Sequence, residues 1–291
     1  MLGAARSGTS LIYKMLCLHP DASYISNYLR RVPSAWWLGG LNRIPRRVTS
    51  VQREVWLGGG AQGYAYGHPR SVLRRAAPQP VEGEPVFTRA GFREYPWESE
   101  GPERLRTERL RQTVTRLSSA SGASVFVSKR IAHNQRIPQL LQALPEARFV
   151  AIVRDGRAVA LSLSRVNWWP DDPLWWDGRS PRELEAEGAD PWELCARNWV
   201  EDMRSIEEGL TDVPADRVLR LRYEDVVAAP RDAVVGVGRF IGLDADPRWL
   251  RALDMVRTQD RPEKWRTLPP QALATVERVQ RSTLLHYGYD V

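Results

Sequence analysis

The first ten residues contain the feature that most constrains the fold. Two glycines five positions apart, Gly3 and Gly8, precede the hydroxyl residues Thr9 and Ser10, and an apolar helical run follows. This order is typical of a loop that opens a helix and cradles a phosphate, because its N–H groups and the helix N-terminus point at an anion. It is not a Walker A motif, since Thr9 takes the lysine position and Arg6 places a cation inside the loop. A tight turn is the alternative.

Strands and helices alternate along most of the chain. Predicted strands cover residues 124–128, 149–153 and 218–222. Predicted helices cover residues 9–18, about 103–119, 137–144, about 157–165, 191–210, about 230–241 and 269–287. This alternation predicts an α/β fold with a three-layer, doubly wound parallel sheet in a single domain over residues 1–291.

Two long stretches do not fit this alternation. Residues 21–101 and 166–190 are rich in Pro, Gly and Trp, and we expect irregular excursions that act as a lid or a substrate-binding loop. A flexible insertion is the alternative for 21–101. In addition, only Met1 and Leu2 precede the loop, whereas such a loop normally follows a strand of about five residues. The sequence therefore predicts either a shortened first strand or a start further upstream.

Composition limits the class of partner and the compartment. The net charge of +7 favours an anionic partner, but no polybasic tail, zinc spacing or RNP-like pattern points to nucleic acid. Cys17 and Cys195 lie in apolar helical patterns without a CxxC neighbour, as expected of buried thiols in a reducing compartment. Because no apolar run reaches about 20 residues and no signal peptide is visible, we expect a cytoplasmic protein without a membrane span.

A second candidate anion site follows the buried run 149–153. Arg154 comes directly after this strand, Asp155 and Gly156 make a turn, and Ser162 lies on the next helix. Ligands of open α/β sheets bind beyond the carboxyl ends of the strands, so Arg154 and Ser162 are positioned to bind a second phosphate. The alternative is that Arg154 forms only a salt bridge with Asp155 or another carboxylate.

Together these motifs resemble those of the nucleotide-dependent sulfotransferase family, and the likeness is greatest to the bacterial branch that acts on small molecules and glycans. The resemblance covers residues 1–20 and about 124–291 and leaves most of 21–101 unmatched. The matching segments are Gly3–Ser10, Phe149–Ser162, Arg222-Tyr223-Glu224-Asp225, Lys129 with Arg136-Ile137-Pro138, and Lys264-Trp265-Arg266.

The resemblance implies sulfuryl transfer from 3′-phosphoadenosine 5′-phosphosulfate (PAPS) to a hydroxyl or amine of a small-molecule, glycan or lipid acceptor. No metal is expected, because sulfate carries less charge than a terminal phosphate. Arg6 and Lys129 match catalytic cations beside the transferring group. The residues that match donor-binding positions are Arg6, Ser7, Gly8, Thr9 and Ser10 at the 5′-phosphosulfate, Arg154 and Ser162 at the 3′-phosphate, Tyr223 near the adenine, and Lys264.

The general base departs from the family pattern. Many relatives place a carboxylate just after the first helix, where this chain has Ser26 and Asn27. Other relatives use a histidine shortly after the lysine. His133, four residues after Lys129, is therefore the first candidate base, although the spacing differs, and His68 is the second.

Two other functions remain open from the sequence. A nucleotide kinase would share the loop architecture, but Thr9 in the lysine position and the lack of a clear magnesium-binding carboxylate disfavour it. A nucleotide-binding module with little catalytic activity is the other. The 12 tryptophans either stack on an acceptor ring or pack the core. The acceptor and the oligomeric state are not given by the sequence.

Overall fold

The computed structural model describes residues 1–46, 49–57, 77–98, 105–256, 258 and 263–291. His68 and the glycine-rich stretch 58–67 lie outside the described residues. The strands are β1 (Ala22–Ser23), β2 (Val125–Phe126), β3 (Phe149–Val153) and β4 (Val218–Arg222). The helices are α1 (Thr9–Cys17), α2 (Asn27–Arg31), α3 (Arg43–Arg46), α4 (Thr49–Leu57), α5 (Glu84–Thr88), α6 (Thr107–Ser121), α7 (Ile137–Ala143), α8 (Gly156–Leu163), α9 (Pro181–Ala186), α10 (Pro191–Leu210), α11 (Tyr223–Ala228), α12 (Pro230–Ile241), α13 (Pro247–Asp254) and α14 (Pro270–His286).

The central strand is β3, which forms where the continuous apolar run predicts it. All five of its residues are buried, and it pairs in parallel with β4, with Phe149 opposite Val218 and Val153 opposite Arg222. β1 and β2 also pair in parallel. These pairings confirm parallel strands between helices, while the complete three-layer, doubly wound sheet stays a prediction.

The two faces of β3 contact different helices. Phe149, Ala151 and Val153 belong to a core cluster with Trp199 of α10. Val150 and Ile152 belong to a second cluster that contains residues of α1, α12 and α13. Successive side chains of a strand point to opposite faces, so an uninterrupted apolar run is what a strand covered by helices on both faces requires.

The backbone of the first two residues lies between the two strand pairs. The Met1 amino group donates to the Ser128 carbonyl at 2.9 Å, just after β2. On the other side, Leu2 donates to the Val150 carbonyl at 2.8 Å and accepts from the Ile152 N–H at 3.0 Å. The loop that starts at Gly3 therefore leaves the sheet beside the carboxyl end of β3, next to Arg154.

The stretch predicted to be irregular, residues 21–101, contains α2 to α5, which sequence analysis missed. Each of these helices has four to nine residues, too few for an apolar period to stand out. β2 is likewise shorter than the predicted strand at 124–128. Within the described part of the chain, no helix is both long and apolar enough to cross a membrane.

Gly156, at the first turn of α8, permits close packing of α8 against α10 and α14. A Cβ atom there would lie 2.5 Å from Gln280 Oε1 and 2.6 Å from the Trp199 ring. We expect Gly156→Ala to lower the free energy of unfolding by about 1–3 kcal/mol, because two buried side chains must shift. Chemical denaturation measures this change.

The matched control is Gly236→Ala in α12, where nothing lies within 4 Å of the added atom. Alanine is the better helix former, so this variant should gain up to about 1 kcal/mol. Equal stabilities of the two variants would contradict the packing role assigned to Gly156.

Candidate active site

The loop before α1 has a backbone conformation that depends on glycine. Gly8, the N-cap of α1, has φ of 81°, and a Cβ atom on it would lie 2.2 Å from the Tyr223 ring. Arg6 has φ of 69°, which is unusual for a residue with a side chain. Such a conformation costs about 1–3 kcal/mol and persists where surrounding contacts impose it. Here the Arg6 carbonyl accepts a hydrogen bond from Arg154 Nη1 at 2.9 Å.

The two predicted anion sites are in direct contact. Arg6 Nε donates to Ser162 Oγ at 3.0 Å, and the Arg154 guanidinium lies 4.6 Å from the centre of the Tyr223 ring. The Asp155 carboxylate accepts instead from Arg157, with Nε donating to Oδ1 at 3.1 Å and Nη2 donating to Oδ2 at 2.9 Å. The alternative in which Arg154 pairs with Asp155 is therefore not observed. Residues about 150 positions apart in the chain converge at the N-terminus of α1.

A cavity of about 640 Å³ lies beside this contact. Ser7 and His133 are the predicted site residues that do not line it; Ser7 is fully buried in the loop. The predicted residues that do line it are Arg6, Gly8, Thr9, Ser10, Lys129, Arg154, Ser162, Tyr223 and Lys264.

Arg157 positions the segment that carries Lys264. Its guanidinium lies 3.8 Å from the centre of the Trp265 ring and donates to Asp155 and, at 3.1 Å, to Glu277 on α14. Since Arg157 is fixed at the start of α8, the turn Lys264–Thr267 is fixed against α8 as well. This contact places Lys264 at the cavity.

Lys129 is buried and forms an ion pair with Glu82, a cavity residue that sequence analysis missed. Glu82 reaches this position because the chain at 79–81 pairs with the chain at 25–27. Asn27 and Gln79 exchange hydrogen bonds at 3.0 Å, and Val81 donates to the Ile25 carbonyl at 3.0 Å. A carboxylate from this later segment therefore lies at the cavity beside Lys129.

Ser26 and Asn27, which occupy the usual carboxylate position, have structural roles. Ser26 caps α2 by accepting from the Leu29 N–H at 3.3 Å. The Asn27 amide donates to the Ala77 carbonyl at 3.3 Å and accepts from Gln79. The Asn27 side chain thus holds the segment that carries Glu82, and the Ser26 side chain holds the start of α2.

His133 lies in the core instead of the cavity. It is 3% exposed, its Nε2 is 2.9 Å from Ser128 Oγ, and its ring meets the Phe87 ring edge-on at 4.7 Å. Burial, with the nearby charges of Arg130 and the N-terminal amine, holds the pKa of His133 well below its usual range. The structure therefore does not bring His133 together with Arg6 and Arg154 at the cavity.

Other cavity residues were also missed, because no local motif marks them. Arg130, buried, pairs with Glu84 and lies over the Phe87 ring at 5.4 Å. Carboxylates and aromatic rings from three separate segments complete the lining: Glu94, Tyr95, Trp168, Trp169, Asp172, Trp175 and Asp202. Trp199 and Trp249, in contrast, pack in the core, so some tryptophans line the cavity and others lie away from it.

Comparison with known proteins assigns the family. The model of the sulfotransferase family matches residues 1–247. The chain belongs to the sulfotransferase family. No curated protein sequence matches it significantly.

Solved bacterial sulfotransferases share the fold. STF9 from Mycobacterium avium superposes with a TM-score of 0.60 at 14% identity, over 100% of this chain and 76% of that one. The sulfotransferase domain from the curacin biosynthetic pathway superposes with a TM-score of 0.54 at 12% identity, over 100% of this chain and 96% of that one. The sulfotransferase domain of the Synechococcus PCC 7002 olefin synthase superposes with a TM-score of 0.51 at 16% identity, over 100% of this chain and 94% of that one. At these identities the likeness concerns the fold alone.

Asp202 of this sulfotransferase is a fully buried carboxylate at the cavity wall. Its Oδ1 accepts from Asn134 at 3.3 Å, Gln135 at 3.2 Å and Trp175 at 3.1 Å. Among the described residues, Oδ2 has no hydrogen-bond partner of good geometry. Burial raises the pKa of Asp202 to about 7, although these bonds and one from the Ala5 backbone oppose the shift.

This raised pKa makes stability depend on pH. The unfolded carboxyl ionises near its ordinary pKa of about 4, whereas the folded one stays protonated up to about 7, so Asp202 lowers stability as pH rises between these values. Asp202→Asn removes the titration and keeps an acceptor at Oδ1. We expect the stability of this variant relative to wild type to rise by a few kcal/mol at most between about pH 4 and pH 8. Urea denaturation across that range tests this, and a constant difference would contradict it.

Proposed function

We propose that this sulfotransferase moves a sulfuryl group from PAPS to a hydroxyl or amine of a small-molecule, glycan or lipid acceptor. The observation that carries the proposal is the Arg6–Ser162 hydrogen bond, which joins the two anion-binding motifs at one cavity. A donor with anionic groups at both ends needs two such sites close together.

The cavity lining suits PAPS chemically. Arg6, Arg154 and Lys264 supply cations, and Thr9, Ser10 and Ser162 supply hydroxyl groups. The first N–H groups of α1 have no acceptor within the helix, so they favour an anion at its N-terminus. Within the described residues, no group of three or more His, Cys, Asp or Glu side chains is placed to hold a metal ion. The proposal assigns charge stabilisation to arginine, lysine and backbone N–H groups.

The proposed reaction assigns a residue to each charge that develops and to the proton that leaves. PAPS supplies the sulfuryl group, whose bond to the 5′-phosphate oxygen breaks as a bond to the acceptor oxygen forms. Arg6 and Lys129 stabilise the negative charge that develops on the leaving phosphate. Glu82 takes the acceptor proton, and the products are the sulfated acceptor and adenosine 3′,5′-bisphosphate. Positioning and charge supply most of the rate enhancement, as in phosphoryl transfer.

The geometry favours Glu82 over His133 as the base. Glu82 lines the cavity, is partly exposed and contacts Lys129 directly. The His133 side chain is buried in the core, and its low pKa makes it a weak proton acceptor. A general base must lie within hydrogen-bond reach of the proton that it removes, and of these two residues only Glu82 lines the cavity that an acceptor would enter.

The first prediction concerns donor binding. Arg154→Ala should weaken the binding of adenosine 3′,5′-bisphosphate by about 1.5–3 kcal/mol, because an arginine–phosphate contact is charge-assisted. Ser162→Ala should cost about 1 kcal/mol. Calorimetric titration without magnesium measures both values.

The control is Arg281→Ala, which removes an exposed arginine of α14 outside the cavity and should leave this affinity unchanged. Unchanged affinity in Arg154→Ala would remove Arg154 from the donor site. A preference of the wild-type protein for ATP with magnesium would favour a kinase. Tight nucleotide binding without sulfation of any acceptor would favour a binding module.

The second prediction concerns the base. Glu82→Gln keeps the shape of the side chain and removes its proton affinity, so kcat for an alcohol acceptor should fall by about 10²–10⁴. With a nitrophenol acceptor that is already ionised, the same change should cost much less. Steady-state assays with labelled PAPS measure both rates, and bisphosphate affinity reports whether the donor site is intact.

His133→Asn is the companion variant, because His133 is the base that sequence spacing suggests. With Glu82 as the base, His133→Asn should retain kcat within the same order of magnitude on both acceptors. The assignment would be reversed if His133→Asn lost a large part of kcat with the alcohol acceptor only, while Glu82→Gln kept the wild-type kcat.

A further inference from the structure

A second group of cavity residues differs in character from the donor-binding residues. Tyr95 donates to Asp172 Oδ1 at 2.8 Å, and its ring stacks on Trp97 at 4.8 Å with a 10° angle between the planes. The buried Arg136 donates to the Tyr95 carbonyl at 3.0 Å. The group that lines the cavity, here called the acidic aromatic wall, consists of Glu94, Tyr95, Trp168, Asp172 and Trp175.

The two buried cations of the cavity lining are paired with carboxylates outside this wall. Lys129 is paired with Glu82, and Arg130 is paired with Glu84. In the part of the chain that the structure describes, neither Glu94 nor Asp172 forms an ion pair. Although Glu94 as a residue is exposed, partial desolvation of its carboxyl, with repulsion from Glu84 and Asp172, raises its pKa to about 7.

The buried Asp202 holds one aromatic ring of this wall in place. Trp175, a member of the wall, donates to Oδ1 of Asp202 at 3.1 Å, whereas Oδ2 of Asp202 has no hydrogen bond of good geometry among the described residues. The bond from Trp175 to Oδ1 fixes the Trp175 ring at the wall of the cavity.

We propose that the acidic aromatic wall binds an acceptor that carries a protonated amine, with the ammonium group between Glu94, Asp172 and the aromatic rings. The inference rests on the proposed function and specifies its acceptor class. Carboxylates and aromatic faces both attract ammonium groups. A neutral acceptor would gain no attraction from these carboxylates, and an anionic acceptor would be repelled by them.

The experiment compares matched amine and neutral acceptors. The pairs are glucosamine with glucose, tyramine with 2-(4-hydroxyphenyl)ethanol, and 3-aminopropan-1-ol with propane-1,3-diol. Each compound is titrated into the protein saturated with adenosine 3′,5′-bisphosphate, and sulfation is followed with labelled PAPS. The amine of at least one pair should bind about tenfold more tightly than its neutral partner, and added salt should reduce this preference.

The variant test uses Glu94→Gln with Asp172→Asn, which removes the charge and keeps the shape. This double variant should lose the amine preference, while the affinity for the neutral compounds and for the bisphosphate stays unchanged. The matched control is Asp212→Asn with Asp290→Asn, which removes two exposed carboxylates outside the cavity and should keep the preference.

The outcomes separate this inference from the proposed function. If the protein binds the bisphosphate but no amine binds better than its neutral partner, the acceptor class is wrong and the donor assignment stands. If the preference survives in Glu94→Gln/Asp172→Asn, the wall is not its source. If the bisphosphate itself does not bind, the proposed function fails and this inference fails with it.

Discussion

The arrangement of the site depends on the hydrogen bonds between Asn134 and the backbone of Gly3. The Asn134 amide accepts from the Gly3 N–H at 3.1 Å and donates to the Gly3 carbonyl at 3.2 Å, as a neighbouring strand would. Asn134 is itself held by Asp202 and, through its carbonyl, by Ser205 of α10. The chain can therefore leave the sheet at Gly3 with its backbone groups satisfied, and the loop starts from a fixed point beside Arg154.

The sequence predicts well those parts of the molecule that are determined locally. The predicted bounds of β3, β4, α10 and α12 coincide with those observed, because each has a long, regular apolar pattern. The two anion-binding motifs are also local, since each is a turn at the start of a helix. Their contact through Arg6 and Ser162 follows once both helices begin at the same edge of the sheet.

The remainder of the site could not be predicted, because it depends on pairings between distant segments. Glu82 reaches Lys129 through the pairing of Asn27 with Gln79, 52 residues apart, and no pattern in residues 77–82 marks that pairing. In the sequence, His133 is a candidate base because it lies four residues after Lys129. The short helical turn Ile131–His133 directs its side chain toward Ser128 and the core instead.

The excursion that carries Glu82 and Glu84 is required for the electrostatics of the cavity. Lys129 is 4% exposed and Arg130 is 2% exposed, and a buried cation without a partner destabilises a protein by about 3–5 kcal/mol. Glu82 and Glu84 supply those partners from one short segment. Because the buried cations belong to the site and their partners belong to the excursion, this segment cannot leave the cavity without exposing or unpairing them. Glu82 is therefore part of the wall of the cavity, and together with Glu84 it allows Lys129 and Arg130 to stay shielded from water.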